Sequence, residues 1–182
     1  MSKVLDFVFT LNVDEVHPEG RSYQLKASKT QLSDLADRFK LVALHSFSAE
    51  ILVQSEPKTD TIWVRGDIEA DLVQQCVVTL GDVPEQVSDS FELMLVTPEV
   101  AEQMDVDEVY LDPKAPDYDA FEGPVIPVGD IVAQTLSVLM DPYPKQADAK
   151  LKVPNGKGIV VNEELEEKPN PFAVLSKLRD KS

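Results

Sequence analysis

One segment in the middle of the chain alternates strictly between two kinds of side chain. From Thr61 to Leu72, one set of alternate positions is apolar or glycine: Ile62, Val64, Gly66, Ile68, Ala70 and Leu72. The positions between them carry Trp63, Arg65, Asp67, Glu69 and Asp71. Successive side chains of a β-strand point to opposite faces, so this pattern predicts a strand with one buried face and one solvated face. Half-buried strands of this kind are typical of antiparallel sheets.

Further apolar runs predict strands on both sides of this segment. An opening strand is expected to place Leu5, Phe7, Phe9, Leu11 and Val13 on one face. A short return strand is expected at 22–27 and a longer strand at 41–54. We expect the central strand to continue through Gln74–Leu80, bent or bulged near Val73, and to turn at Gly81–Pro84. The returning strand then carries Val87, Phe91, Leu93 and Leu95.

Three segments show helical spacing. The first has Ser28 or Thr30 as its N-cap, and its apolar positions are Leu32, Leu35, Ala36 and Phe39. The second has Asp130 as N-cap, an apolar stripe from Ile131 to Leu139, and an end at Asp141-Pro142-Tyr143-Pro144. The third has Asn170 as N-cap, Pro171 in the first helical position, and the apolar residues Phe172, Val174, Leu175 and Leu178.

Together these elements predict an α+β fold. We expect an antiparallel β-sheet or partly open barrel with two packed helices, an acidic loop and a C-terminal tail helix. The chain of 182 residues then divides into a single α+β domain, residues 1–144, with the acidic loop at about 99–123. Residues 145–182 form a polar linker and a short C-terminal helix.

The negative charge of the chain is concentrated in its middle third. The formal net charge is −16, and residues 60–125 hold 17 acidic against two basic side chains. Such a surface repels nucleic acid and anionic membranes, so neither DNA nor a membrane is expected as a partner. No stretch free of charge exceeds ten residues, so no transmembrane helix is expected. The polar residues near the N-terminus argue against a signal peptide, and we expect a cytoplasmic protein.

The densest acidic segment runs from Glu99 to Glu122, with nine acids and one lysine. Mutual repulsion and prolines predict that most of it lacks regular structure and protrudes as an acidic surface. One interpretation is a solubilising loop. The other is a site for a basic partner, in which Asp105, Asp107 and Glu108 supply charge. Its apolar anchors would be Val109, Tyr110, Leu111, Tyr118 and Phe121.

Residues that could carry catalysis or bind a metal are sparse. His17 and His45 lie in separate segments, and the single cysteine, Cys76, allows neither an internal disulfide nor a multi-cysteine zinc site. We interpret Cys76 as a small buried thiol within a strand. The pairs Asp105/Asp107 and Asp117/Asp119 lack the remaining ligand positions and the glycine of a calcium loop. No Gly-rich phosphate loop is present. The sequence therefore predicts no catalytic residue, no metal and no cofactor.

Two segments nevertheless resemble a known family. Val73–Leu80 (VQQCVVTL) and Lys168–Leu178 (KPNPFAVLSKL) are similar to segments of the YceD family, the large ribosomal RNA subunit accumulation proteins. The helix that ends at Asp141-Pro142-Tyr143-Pro144 resembles the form found in alphaproteobacterial members. The resemblance implies a cytoplasmic, non-enzymatic factor that supports accumulation of large-subunit ribosomal RNA. Many members carry Cys-x-x-Cys where this chain has Cys76 and Thr79; threonine supplies no thiolate, so a zinc role does not carry over.

Charge and family resemblance suggest two routes to this function. The acidic region 60–125 could bind a basic ribosomal protein and keep it soluble, and we rank this route slightly first. Alternatively, the basic tail (Lys168, Lys177, Arg179 and Lys181) could contact ribosomal RNA directly. A different class of function, a small-ligand binder or an enzyme, would use the strand face around Gln75 and Cys76.

The C-terminal helix has its own two interpretations. It could be a recognition element in which Asn170 and Pro171 start the helix and Phe172 and Leu175 anchor it in a partner groove, while Lys177 and Arg179 contact phosphate. It could equally dock on its own domain, because so short a helix needs a surface to fold against.

Overall fold

The computed structural model describes residues 4–107 and 116–150, with only the backbone for residues 4 and 105–107. The chain divides into two compact units, Met1–Ala149 and Lys150–Ser182. The second unit lies outside the described residues except for Lys150.

The first unit is built from eight strands and three α-helices within the described residues. The strands are β1 (Val4–Leu5), β2 (Leu11–Asn12), β3 (Arg21–Lys26), β4 (Ala43–Glu56), β5 (Thr61–Gln75), β6 (Asp82–Val96), β7 (Asp117–Ala120) and β8 (Val125–Ile126). The helices are α1 (Lys29–Phe39), α2 (Pro98–Asp107) and α3 (Val128–Leu139). A single 3₁₀ turn spans Val13–Glu15.

One sheet dominates, with the strand order β1-β3-β4-β5-β6-β7. Its centre, β3 to β6, is antiparallel, whereas the short outer strands β1 and β7 run parallel to their neighbours. Strands β2 and β8 form a separate two-stranded ribbon. The predicted α+β class with a mainly antiparallel, open sheet is confirmed.

The alternation in β5 determines which face of the sheet is buried. Val64, Ile68 and Leu72 are fully buried on the face covered by α1 and α3. Each such side chain stabilises the fold by about 1.5–3 kcal/mol relative to exposure. Helix α1 contributes Leu35 and α3 contributes Val132 and Leu136 to the same core. The opposite face of the sheet, which carries Asp67 and Glu69, is exposed.

Two glycines permit close approaches of backbone to this core. A Cβ at Gly129, in the first turn of α3, would lie 2.1 Å from the Phe7 carbonyl oxygen. The Gly129 N–H instead donates to the Phe9 carbonyl at 3.0 Å. At Gly66 in β5, a Cβ would lie 2.3 Å from the Glu50 carbonyl oxygen of β4. Only glycine lacks the atom that would collide at these positions.

Strand β6 has a long outer edge. β7 pairs with it only at Leu93–Val96, so no strand of the described residues borders Asp82–Glu92 on that side. Along this edge Pro84 has no N–H to donate. The Ser90 N–H donates to the carboxylate of the neighbouring Asp89 at 2.8 Å.

The predicted opening strand is wrong as a continuous element, although its apolar residues Phe7 and Leu11 are buried and the others are partly buried. The chain turns after Leu5, where the Val8 N–H donates to Asp6 Oδ1 at 3.1 Å. Phe7 still packs on Phe47, with ring centroids 4.1 Å apart. The return strand exists as β3, but it lies parallel to β1 because the chain crosses over rather than forming a hairpin.

The prediction for the central hairpin needs two corrections. β5 ends at Gln75, not Leu80, and the turn occupies residues 76–81, so that Pro84 lies within β6 opposite Val73. The register irregularity lies opposite Leu72 and Asp71, close to Val73 as predicted, but the extra residue is in β4, between Leu44 and Ser46, rather than in β5.

The first two predicted helices exist as α1 and α3, whereas the third, which begins at Asn170, lies outside the described residues. Ser28 caps α1, and the Gln31 side chain completes a capping box by accepting the Ser28 N–H at 2.9 Å. Asp130 does not cap α3, whose N-cap is Pro127. The Asp130 carboxylate lies in the first turn and pairs with Arg38 of α1 at 2.9 Å.

Regular structure within the acidic segment corrects another expectation. Residues 98–107 form α2 and residues 117–120 form β7. The Ala101 N–H donates to the Thr97 carbonyl at 3.0 Å, and the Ala101 side chain is buried. Pro98 occupies the first helical position and Glu99 the first turn, where both residue types favour helix formation. These local preferences outweigh the repulsion that predicted an irregular loop.

Candidate functional site

The turn between β5 and β6 holds the two sequence-predicted residues Gln75 and Cys76. The Cys76 N–H donates to the Gly81 carbonyl at 2.8 Å, and the Leu80 N–H donates back to the Cys76 carbonyl at 3.0 Å. The Gln75 side chain also donates to the Leu80 carbonyl, at 3.3 Å. Leu80 adopts a left-handed conformation, φ 62°, to close the turn. The interpretation of Cys76 as a strand residue is therefore wrong, because it begins the turn.

The Cys76 thiol is enclosed and hydrogen-bonded. Its Sγ accepts the backbone N–H groups of Thr79 and Gln146, each at 3.4 Å, and the residue has no solvent exposure. The Thr79 side chain is the largest influence on its acidity. With backbone N–H groups of Gln146, Thr79 and Val78, it lowers the pKa of the Cys76 thiol from 9.0 to about 6, against the opposing effect of burial.

A segment after α3 completes this turn. The Val77 N–H donates to the Pro144 carbonyl at 2.9 Å. The Gln146 side chain accepts the Thr79 hydroxyl at 2.7 Å and donates to the Asp82 carbonyl at 3.1 Å. Sequence reasoning missed Gln146, because nothing local marks a residue 70 positions away as a partner of Cys76. The Thr79 hydroxyl therefore serves as a hydrogen-bonding group in the turn.

No cluster of three or more metal-ligating side chains occurs in residues 4–107 and 116–150.

The other predicted site residues lie at or beyond the limits of the described structure. Asp105 and Asp107 belong to the last turn of α2, where only the backbone is described. Glu108 and Tyr110 fall in the gap between residues 107 and 116. The tail residues lie beyond Lys150, outside the described residues: Asn170, Pro171, Phe172, Leu175, Lys177 and Arg179. Of the predicted site residues, the described structure places Gln75 and Cys76 together in one turn.

A surface that sequence reasoning did not single out is the open face of the sheet. A depression of about 660 Å³ crosses β3 to β6 on this face. The polar side chains that border it are Gln24, Lys26, Ser48, Glu50, Asp67, Glu69, Ser88 and Ser90. A second depression, about 520 Å³, adjoins it and shares Glu50, Asp67 and Ser90. We call these two depressions together the sheet groove.

At one end of the sheet groove, the chain's own Arg65 side chain is held by an aromatic ring and a carboxylate. The Arg65 guanidinium lies 4.1 Å from the centre of the Trp63 ring and pairs with the Glu92 carboxylate. The Trp63 indole N–H donates to Glu56 Oε2 at 3.2 Å. Stacking on an aromatic face and pairing with a carboxylate are the interactions that proteins use to bind arginine.

Comparison with known proteins places the chain in a family. A family model described as "Large ribosomal RNA subunit accumulation protein YceD" matches residues 64–179, from β5 through α3 and on beyond the described residues. The chain belongs to the YceD family, as the segments around Cys76 and in the C-terminal tail predict. The family name implies a role in the accumulation of large-subunit ribosomal RNA. Neither a curated protein nor a solved structure matches the chain significantly.

The length and the apolar composition of a helix determine whether it can cross a bilayer. None of the helices in residues 4–107 and 116–150 has the length and apolar composition needed to cross a bilayer.

Proposed function

We propose that this chain is a non-enzymatic, cytoplasmic ribosome-biogenesis factor that supports accumulation of large-subunit ribosomal RNA by binding a basic ribosomal protein. The family to which the chain belongs supports the pathway. The exposure of its acidic side chains supports the class of partner. Of the 13 acids in residues 60–125 whose side chains are described, 11 are exposed. Carboxylates in solvent attract cationic partners and repel phosphate.

In this proposal the factor keeps the basic ribosomal protein soluble until that protein binds ribosomal RNA. Basic ribosomal proteins carry surfaces that pair with RNA, and an acidic protein can cover such surfaces reversibly. Because exposed charges are screened, the complex weakens as ionic strength rises, and RNA with its higher charge density can displace the factor.

Two other assignments are weaker. Direct RNA binding through Lys177 and Arg179 has the family name in its favour, but it must overcome the net charge of −16. A ligand-binding or enzymatic role at Cys76 has the lowered pKa of its thiol in its favour. Complete burial of Cys76 in the turn argues against it, since a nucleophile must reach its substrate.

Affinity capture from a lysate of the native cell tests the proposal. The full chain is immobilised and washed at low and at moderate salt, with and without ribonuclease, and captured RNA and protein are both identified. We expect capture of a basic large-subunit ribosomal protein. This capture should persist after ribonuclease treatment and should be lost at moderate salt. Capture of ribosomal RNA that persists after every protein has been removed would contradict the proposal and favour direct RNA binding.

A further inference from the structure

The open face of the sheet is a large surface without a covering element. The helices α1 and α3 pack on the opposite face, and the sheet groove runs across the middle of four strands. Among the described residues, this face is covered by no helix or loop that would account for its shape. Its side chains are mostly exposed: Lys26, Glu50, Asp67, Glu69, Ser88, Ser90 and Glu92.

At the centre of the groove two carboxylates face each other. Glu50 of β4 is the direct cross-strand partner of Asp67 of β5, and Glu69 lies two positions further along the same face. Like charges directly opposite each other destabilise a sheet. None of the three forms an ion pair with another residue of the described structure. The repulsion between the Glu50 and Asp67 carboxylates destabilises the sheet. A bound cation would reduce this repulsion.

The shape of the groove favours an extended chain over a helix. Glu50 and Asp67 lie where the two depressions meet, so a ligand can continue from one into the other. The serines that line it, Ser48, Ser88 and Ser90, are small and leave room for long side chains. Their hydroxyls can accept hydrogen bonds from guanidinium or ammonium groups.

We propose that the sheet groove binds an extended segment rich in arginine and lysine from a partner protein, with Glu50 and Asp67 as the central contacts. The proposal rests on the proposed function and names the surface and the chemistry of the segment that it recognises. The negative charge of Glu50, Asp67 and Glu69 is complementary to a positively charged segment, which is why we propose arginine and lysine in the occupant. Arg65 already occupies Trp63 and Glu92 on the same face, so an incoming cation would pair with the free carboxylates of Glu50 and Asp67.

A peptide titration tests the site directly. The probe is a dye-labelled peptide of alternating arginine and serine, added to the full chain at low salt and followed by fluorescence anisotropy. The test variant is Glu50→Gln with Asp67→Asn, which removes two charges from the groove. We expect its Kd to be roughly ten-fold higher than that of the native chain.

The matched control removes two charges elsewhere. Asp14→Asn with Glu15→Gln changes two exposed positions of the 3₁₀ turn, outside residues 60–125, and leaves the same net charge as the groove variant. We expect the Kd of this control to change less than two-fold or so. Equal weakening in both variants would overturn the proposal, because binding would then depend on net charge alone.

Two further measurements guard against misreading the groove variant. Its melting temperature should equal or exceed that of the native chain, since the substitutions remove a repulsive pair; a clear fall would contradict the repulsion argued above. A dye-labelled RNA oligonucleotide, titrated with the chain in the absence of the peptide, should show no binding that depends on Glu50 and Asp67. Specific RNA binding that depends on Glu50 and Asp67 would overturn the proposal.

These outcomes are separable from the fate of the proposed function. If the peptide binds the groove but no ribosomal protein is captured from lysate, the groove proposal survives and the proposed partner is wrong. If a ribosomal protein is captured equally by the native chain and the groove variant, the function survives and the groove is not its site.

Discussion

Gln146 donates its backbone N–H to the Cys76 thiol at 3.4 Å, although 70 residues separate the two in the chain. The side chain of the same glutamine accepts the Thr79 hydroxyl and donates to the Asp82 carbonyl. The segment after α3 therefore holds the β5–β6 turn closed.

The Thr79 side chain should control the acidity of the thiol. Thr79→Val removes the largest influence that lowers the Cys76 pKa, so we expect that pKa to rise from about 6 toward 9.0. Ultraviolet absorbance of the thiolate, followed across a pH titration of the folded chain, measures it. Thr59→Val is the control, because that hydroxyl bonds to the Glu56 carbonyl instead and should leave the titration unchanged.

The same shift makes stability depend on pH. The folded thiol binds fewer protons than the unfolded one between about pH 6 and pH 9, so its contribution to stability grows as pH rises through this window. That contribution is complete above pH 9 and lost as pH falls through about 6. The melting temperature of the native chain minus that of Cys76→Ala should therefore rise from pH 6 to pH 9. A flat difference would show that the pKa is not lowered.

The capping box of α1 should be worth a measurable amount. Ser28→Ala removes the hydroxyl that accepts the Gln31 N–H, and we expect a loss of about 1 kcal/mol in the free energy of unfolding. Denaturant unfolding measures the loss. Ser33→Ala, an exposed position inside α1, should leave stability unchanged or slightly higher, because alanine is the better helix former. Equal effects at both serines would argue against the cap.

Gly129 offers a test in which helix propensity and packing oppose each other. Gly129→Ala would improve propensity by about 1 kcal/mol in a solvated helix. Here the new Cβ would collide with the Phe7 carbonyl oxygen, and we expect a net destabilisation of about 1–3 kcal/mol. Ser137→Ala, at an exposed position of the same helix, should stabilise slightly. A stabilised Gly129→Ala variant would show that the N-terminal segment is not held against α3.

The end of α2 tests the acidic segment as a partner site. Charge reversal at Asp105, Asp107 and Glu108 should weaken capture of basic proteins, with a steep dependence on salt. Reversal at three exposed acids elsewhere, Asp14, Glu15 and Glu19, is the control. Capture that survives only in the control would place the partner on the segment. Capture that survives both would exclude the segment from the interface.

The C-terminal tail is tested by a chain that ends at Glu167. If Phe172 and Leu175 anchor a partner, capture of ribosomal material should be lost while the melting temperature barely changes. If the tail instead belongs to the core, the melting temperature should fall by several degrees, since two such side chains contribute about 3–6 kcal/mol. Unchanged capture together with unchanged stability would contradict both interpretations.

Local patterns predicted the parts of the fold that local physics decides. The alternation from Thr61 to Leu72 correctly predicted the buried face of β5, and Ser28, one of the two predicted N-cap candidates, caps α1. The acidic segment was mispredicted because its charge predicted repulsion, whereas Pro98 and Glu99 favour a helix start at this point. The burial of Ala101 that fixes the helix is a tertiary contact.

The proposed groove and the turn at Cys76 depend on long-range contacts that local sequence patterns do not predict. The opposition of Glu50 and Asp67 requires the register of β4 against β5, which a shift of one residue would destroy. The contact of Gln146 with Cys76 requires the path of the chain after α3. The family resemblance, in contrast, depends on short segments such as Val73–Leu80 and was recognisable without any fold.

The outer edge of β6 affects the tendency of this protein to aggregate at high concentration. An open strand edge is a template on which other chains polymerise, and the stretch Asp82–Glu92 is long enough to seed such growth. Pro84 interrupts the row of donors, and the Ser90 N–H is already taken by Asp89. Acidic side chains along the edge repel a second copy. These features of the β6 edge are expected to keep the chain from growing into fibres.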